Sequence, residues 1–227
     1  MGEMVSYRSN GGTSEGYLAT PESGSGPGVI VIQEWWGLVP HIVSVADRFA
    51  DAGFVALAPD LYHGVQATEP DEAGKLLMGL AMDQAARDIA GAAANLAERP
   101  KVTGRVGCVG FCAGGSLAMW SATLSDEIVA TVGFYPVLPW ERMSPKWSNY
   151  AGKVAMIHCD GGVPSAAPGI QQAKQAIEAA GGECVTYDYP DTHHAFFNDD
   201  RPEAYDADAA RPAWARTVEL FRTRLAG

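Results

Sequence analysis

The sequence predicts an α/β domain with a mostly parallel central sheet, helices on both faces and an N-terminal antiparallel hairpin. Three observations carry this expectation. Strand-like apolar runs alternate with helix-period segments from end to end. The runs GVIVIQE (28–34), FVALAPD (54–60), RVGCVGF (105–111), IVATVGFYP (128–136) and KVAMIHCD (153–160) are apolar with little alternation, as expected of strands covered on both faces. Finally, VSYRS (5–9) and EGYLAT (15–20) flank an Asn-Gly-Gly turn, which reads as a β-hairpin.

The helices follow from spacing. After Pro40, the positions Ile42, Val45, Ala46, Phe49 and Ala50 recur at helical period, and Gly53 ends that segment. Thr68-Glu69-Pro70-Asp71 reads as a capped helix start. The alanine-rich stretch running to Glu98 carries one long helix or two, with Asp83 as the second cap. AGGSLAMWSATL (113–124) is helical, and GIQQAKQAIEAAGG (169–182) is a helix stopped by glycines. ECVTYDYP (183–190) is the last strand, and Trp214, Val218, Phe221 and Leu225 mark a final amphipathic helix.

With 227 residues, 47% of them hydrophobic and 19% charged, the chain reads as one globular domain over 1–227. Its apolar runs are too short to cross a bilayer, and its first residues lack a basic segment followed by an apolar one. The expectation is a cytoplasmic protein with reduced thiols. A net charge of −11 without any Lys/Arg cluster argues against nucleic acid. Cysteines 108, 112, 159 and 184 form no CxxC pair, so neither a metal nor another cofactor is expected. No membrane partner is expected, and the chain is expected to be a monomer or a weak homodimer.

In sheets of this kind, chemistry collects at the carboxyl ends of the strands. Four polar residues fall there: Glu34, Cys112, Asp160 and His194. Cys112 lies in Gly-x-Cys-x-Gly, the nucleophile-elbow pattern with cysteine in place of serine. The glycines have a physical reason, since so tight a strand-to-helix turn leaves no room for flanking side chains. The thiol then sits at a helix N-terminus, and the Ala113 N–H points toward a developing oxyanion. A nucleophile needs a base and the base an orienting group; Asp160 and His194 follow in the order that hydrolases of this architecture use. Asp160 also fits a plain turn former, and His193 competes with His194. A metal site from His158, His193, His194, Asp199 and Asp200 lacks ligand spacing, and the acidic doublet reads as solvated surface. Ser116 and Ser165 lack the elbow.

The segments IQEWWGL (32–38), APDLYHG (58–64), GFCAGG (110–115), HCDGGVP (158–164) and HHAFFND (193–199) together resemble the dienelactone hydrolase family of α/β-hydrolases. The resemblance implies Cys112 as nucleophile, Asp160 as acid and His194 as base, the histidine being the one that precedes Ala195-Phe196. It implies that Glu34 holds the resting thiol and helps it ionise, and that Trp35 supplies a second oxyanion-hole N–H beside Ala113. The expected substrate is a small ester or lactone in a pocket lined by Trp36, Tyr62 and Phe196. The family's carboxylate-binding arginines are not matched: one position is Asn198, and the helical segment after DLY offers Lys75 and Arg87 without a clear counterpart. Arg201 is the nearby candidate to compensate. A non-catalytic binding protein or thiol redox sensor on the same fold, with Cys108 or Cys159 resolving Cys112, is the alternative.

Overall fold

The computed structural model describes residues 2–9 and 11–226. Asn10, first residue of the expected Asn-Gly-Gly turn, lies outside the described residues. Eight strands form one sheet: β1 (Glu3–Ser9), β2 (Gly12–Ala19), β3 (Gly26–Ile32), β4 (Val55–Pro59), β5 (Val102–Phe111), β6 (Ile128–Phe134), β7 (Val154–Cys159) and β8 (Glu183–Asp188). Their spatial order is β1-β2-β4-β3-β5-β6-β7-β8. β1 and β2 form the antiparallel hairpin, β2 joins β4 antiparallel, and every later pairing is parallel. β3, β4, β6 and β7 are almost wholly buried, as is β5 from Val106 onward, in line with their unbroken apolar runs.

Six helices cover the sheet: α1 (Pro40–Asp51), α2 (Pro70–Gly79), α3 (Met82–Glu98), α4 (Ala113–Ser121), α5 (Pro168–Ala179) and α6 (Ala207–Leu225). Two glycines of β5 show that helices lie on both faces. A Cβ on Gly107 would strike Phe221 and Leu225 of α6, whereas one on Gly110 would strike the backbone of Gly114 in α4. Residues three apart on a strand point to opposite faces, so α6 and α4 flank the sheet from opposite sides. On the α6 side, α1 joins through Phe49, whose ring lies 4.5 Å from Trp214 and 6.0 Å from Phe221. On the other side, Tyr150 in a 3-10 turn (Trp147–Tyr150) donates to the α4 carbonyl of Met119 at 2.5 Å. The hairpin is pinned to α3 by buried Asp88, which takes the Ser9 and Ser14 hydroxyls and the Gln84 amide.

The helical region after DLY is two helices, and their caps differ from the expectation. α2 begins with Pro70 at its first position and Glu69 as an N-cap with no side-chain bond, while the Glu72 carboxylate reaches back to the Thr68 N–H. Asp83 is not a cap. Ala81 holds that position, and Asp83 sits in the first turn of α3, where its charge favours the helix dipole. α4 stops at Ser121 rather than 124, where the Ser121 and Thr123 hydroxyls turn back onto the Ala118 and Trp120 carbonyls and compete with helix propagation. β3 ends at Ile32, which leaves Gln33 and Glu34 in the connection beyond it.

Gly114→Ala places its methyl against the Gln33 and Ile32 carbonyls and is expected to destabilise the fold by about 1–3 kcal/mol in urea unfolding. Gly74→Ala, in α2 with open space around it, is expected to be neutral or to stabilise by up to about 1 kcal/mol.

Candidate active site

The site is assembled from four strand ends. β5 runs into α4 through Cys112, whose φ of 57° and ψ of −121° lie where non-glycine residues are strained. The strain is held by contacts on both sides. The Cys112 N–H donates to the Phe134 carbonyl at 3.0 Å, and its own carbonyl accepts from Gly115 N–H at 3.0 Å. A Cβ on Gly110 would strike the Gly114 backbone, and one on Gly114 would strike the carbonyls of Gln33 and Ile32, so neither position has room for a side chain. Cys112 thus occupies the N-cap of α4, and Ala113 is the first helical residue, with an N–H unused by the helix ladder.

The end of β7 supplies Asp160, which is 1% exposed. Its Oδ1 accepts from the Gly162 N–H at 2.9 Å and the Val163 N–H at 2.7 Å, and its Oδ2 faces His194 Nδ1 at 2.7 Å. Asp160 is therefore a turn former and a histidine partner at once. Burial opposes its charge, yet the His194 bond and the two backbone donors outweigh that and hold its carboxyl below the usual value. The loop after β8 brings His194 alongside, and the Gly161 N–H to Thr192 carbonyl bond (3.2 Å) ties the two loops together. Burial disfavours the His194 imidazolium, but hydrogen bonds and charge from Asp160 and Cys112 prevail and raise it to about 10. His194 and Asp160 thus form a hydrogen-bonded pair, and the nearby Cys112 also favours the protonated ring, whereas neighbouring His193 makes no hydrogen bond to Asp160 among the described residues.

Glu34, 2% exposed, accepts from the buried Asn198 amide at 2.7 Å through Oε2, while its Oε1 has no partner among the described residues. Desolvation raises its carboxyl, offset in part by His41, Asn198, His194 and Arg201. In this conformation the glutamate is held by Asn198, and no hydrogen bond from it to the Cys112 thiol is formed among the described residues. Tyr135, at the end of β6, was not singled out from the sequence. Its φ is 39°, its ring lies edge-on to His194 at 4.9 Å, and its hydroxyl is buried without a hydrogen-bond partner among the described residues. Burial, together with the charges of Glu34, Cys112 and Asp160, pushes that hydroxyl far up. His41 was also missed: it is 1% exposed, with Nδ1 3.1 Å from Asp199 Oδ1. Asp199 is thus a histidine partner and not merely solvated surface.

The remaining expected residues divide. Tyr62 is mostly buried near Cys112 and Arg142, and burial raises its phenol to about 12. Trp35 and Trp36 pack edge-on at 5.1 Å, and the Arg201 guanidinium lies 5.8 Å from the Trp36 ring while bonding Glu203. Phe196 has no exposed surface. It packs against Tyr135 at 5.3 Å and Tyr189 at 4.9 Å, so it supports the wall of the site and does not line its open face. A cavity of about 400 Å³ begins beside the site. Its apolar lining includes Pro136, Leu138, Trp140, Ile170 and Val163, the last of which donates to Asp160.

The other titratable groups are accounted for. Thr217 gives its hydroxyl proton to the Ala213 carbonyl, so it accepts from His158 Nε2–H, and His158 Nδ1 accepts from Tyr189. Burial lowers this histidine to about 3; it is a satisfied core residue. Burial also keeps Cys108 and Cys159 protonated up to about 12 and Cys184 up to about 11. Among the described residues no cluster of three or more His, Cys, Asp or Glu is arranged to hold a metal, and no helix is long and apolar enough to cross a membrane.

An eight-stranded sheet of this order, with a strained residue at the β5–α4 turn and the acid and histidine on later loops, defines an α/β-hydrolase fold. Residues 14–225 match the dienelactone hydrolase family, and the chain belongs to that family. It is 37% identical over 240 residues to Protein usf of Aquifex pyrophilus, covering 99% of this chain and all of that protein. It is 34% identical to a protein of Aquifex aeolicus named "Putative carboxymethylenebutenolidase", at 99% and 100% coverage. Among solved structures, the dienelactone hydrolase-type protein of Klebsiella pneumoniae superposes with a TM-score of 0.83 at 26% identity, covering 98% of each chain. A dienelactone hydrolase-like promiscuous phosphotriesterase, P91, from metagenomic libraries matches in fold with a TM-score of 0.77 at 22% identity, covering 100% of this chain and 99% of its own.

Because the raised His194 pKa favours the charged ring in the folded state, its pairing contributes stability in full below the ordinary 6.5 and loses it as pH rises through about 10. Histidine NMR is expected to show His194 titrating near 10 in the wild type and lower in both Asp160→Asn and Cys112→Ala. The urea midpoint is expected to fall from pH 7 to 10 in the wild type more steeply than in Asp160→Asn. A ring that titrates near 6.5 in all three proteins contradicts this description.

Proposed function

We propose that the chain is a carboxylic ester hydrolase of the carboxymethylenebutenolidase or a related carboxylesterase type, cleaving an ester or lactone through Cys112. The observation that carries this reading is the 2.7 Å contact between Asp160 Oδ2 and His194 Nδ1, on an imidazole whose protonated form the nearby Cys112 also favours. A thiol sensor has no use for such an acid–imidazole pair. Cys108 and Cys159, the candidate resolving thiols, are moreover held protonated by burial, which makes them poor resolving nucleophiles.

In this mechanism His194 takes the Cys112 proton and the sulfur attacks the carbonyl carbon. The tetrahedral oxyanion is held by the N–H groups of Ala113 and Trp35. Its collapse breaks the bond to the leaving alkoxide or enolate, which takes the proton from His194 and leaves a thioester on Cys112. Water, deprotonated by His194, attacks the thioester; the acid departs and the thiol is restored. Asp160 holds the ring in one tautomer throughout. Thiolate is a weak base and a good leaving group, so collapse favours expulsion of alkoxide or enolate over expulsion of an amine. Esters and lactones therefore suit this nucleophile better than amides.

The neutral acyl ester is the preferred substrate in this reading. The cavity beside Asp160 is mainly apolar, Asn198 is engaged with Glu34, and Arg201 is engaged with Glu203. Cys112→Ala is expected to lower kcat/KM for p-nitrophenyl esters by at least about 10³-fold without loss of fold. Full activity in that variant overturns the assignment. In a panel of p-nitrophenyl esters of increasing chain length beside carboxylated lactones, turnover is expected to favour the neutral esters. Faster opening of the anionic lactones contradicts that part of the reading.

A further inference from the structure

The loop that carries His194 is strained, and what restrains it lies on a helix that the reaction outlined above does not use. Ala195, directly after His194, has a φ of 69°, a region that disfavours alanine by roughly 10-fold. The Asn198 N–H closes a turn on the Ala195 carbonyl at 2.9 Å. That turn is then tied to α1 through both oxygens of Asp199: Oδ1 meets His41 Nδ1 at 3.1 Å, and Oδ2 lies 3.7 Å from the Arg48 guanidinium. The same guanidinium lies 4.8 Å from the Phe197 ring centroid and 4.7 Å from that of Trp214. Phe197 in turn stacks at 5.2 Å on Phe111, the residue before Cys112. One arginine therefore grips an acid and a ring of the histidine loop, and that ring rests on the strand that delivers the thiol. Phe197 and Asp199 flank Asn198, so the same grip fixes the amide that holds Glu34 at 2.7 Å.

We propose that Arg48 is a positioning residue for the proposed base: by gripping Asp199 and Phe197 it holds the left-handed turn at Ala195 that sets the His194 imidazole against Asp160 and beside Cys112. This rests on the reading of His194 as the base that serves Cys112. An ion pair at 3.7 Å to a half-exposed carboxylate is weak by itself. Here two aromatic rings fix the guanidinium before it meets Asp199, so the pairing costs little further side-chain freedom. Without that grip, Ala195 relaxes toward a negative φ, and the backbone of His194 turns with it. The ring then leaves the place from which it bonds Asp160, and a misplacement of this kind slows the chemical step more than it weakens substrate binding. The titratable groups facing His194 are Asp160, Cys112 and Glu34, with Tyr135 edge-on to its ring. Arg48 touches none of them and acts only through the loop.

The test follows the His194 titration by histidine NMR and, separately, kcat and KM for a p-nitrophenyl ester. Arg48→Met keeps the stem of the side chain and removes its charge and its planar head. It is expected to lower kcat by about 10-fold with KM within about two-fold of the wild type. The His194 titration, raised to about 10 by its partners, is expected to move back toward the ordinary 6.5. Arg48→Lys keeps the charge toward Asp199 and is expected to lose less; it stands in should the methionine variant fail to fold. Adding Ala195→Gly to Arg48→Met is expected to recover most of the loss, because glycine takes a positive φ without cost. Arg222→Met, which gives up a bond to the Ala52 carbonyl just past α1, is the control for lost stability and is expected to leave both readouts unchanged. An unmoved His194 titration in both Arg48 variants overturns the proposal, as does a double variant no better than Arg48→Met or an equal loss in Arg222→Met. The NMR readout needs no turnover, so failure here is distinguishable from failure of the proposed hydrolase activity.

Discussion

The close approach of β5 to α4 is the constraint on which the site depends. Gly110 and Gly114 touch backbone to backbone, and Gly115 is held similarly against the carbonyl of Phe134. That packing leaves the chain only one way to turn, through a positive φ at Cys112. The thiol is therefore projected above the sheet because a buried backbone contact elsewhere would otherwise be lost, and the conformational strain is carried by the core. The same packing fixes the direction of the helix that starts at Ala113. Both the proposed nucleophile and one proposed oxyanion donor are consequently set by buried backbone contacts of glycines.

Around this turn the protein gathers ionisable groups that burial alone would neutralise, and it treats each differently. Asp160 receives two backbone N–H donors and an imidazole, and its charge is favoured in spite of desolvation. Glu34 receives one amide and remains only partly compensated, so its carboxyl is raised. Tyr135 receives no hydrogen-bond partner among the described residues, and burial keeps its hydroxyl neutral. Two carboxyl groups in one site are thus pushed in opposite directions by their hydrogen bonds, a separation that assigns different work to each. The low dielectric that makes unpaired groups costly also strengthens the Asp160–His194 pairing.

The fold was legible because unbroken apolar strands and helix-period segments report burial directly. The strand ends and the elbow followed from Gly110, Gly114 and the run before them. Capping was less legible: Asp83 has the right residue type, yet Ala81 takes the cap because the α2–α3 break falls at Leu80 and Ala81. Cys112, Asp160 and His194 could be named because chain order and loop position are local signals. Tyr135, His41 and Asp199 could not, since their meaning comes from contacts between residues up to 158 positions apart. Asn198 was visible only as a missing arginine, whereas in three dimensions it is the amide that holds Glu34. The one hint for Tyr135 was its place at a strand end, the same signal that pointed to Cys112 and Asp160. Phe196 erred the other way, since an aromatic beside a site histidine can equally be core.

The most direct test is to look for the covalent intermediate. The protein is mixed with an excess of a p-nitrophenyl ester, quenched in acid within the first turnovers and digested for peptide mass spectrometry. One acyl group on the peptide containing Cys112, formed and lost at rates that match turnover and scarce when Asp160 is replaced by Asn, is the predicted result. Full turnover with no acyl group on that sulfur, or with the acyl group on another residue, would contradict it.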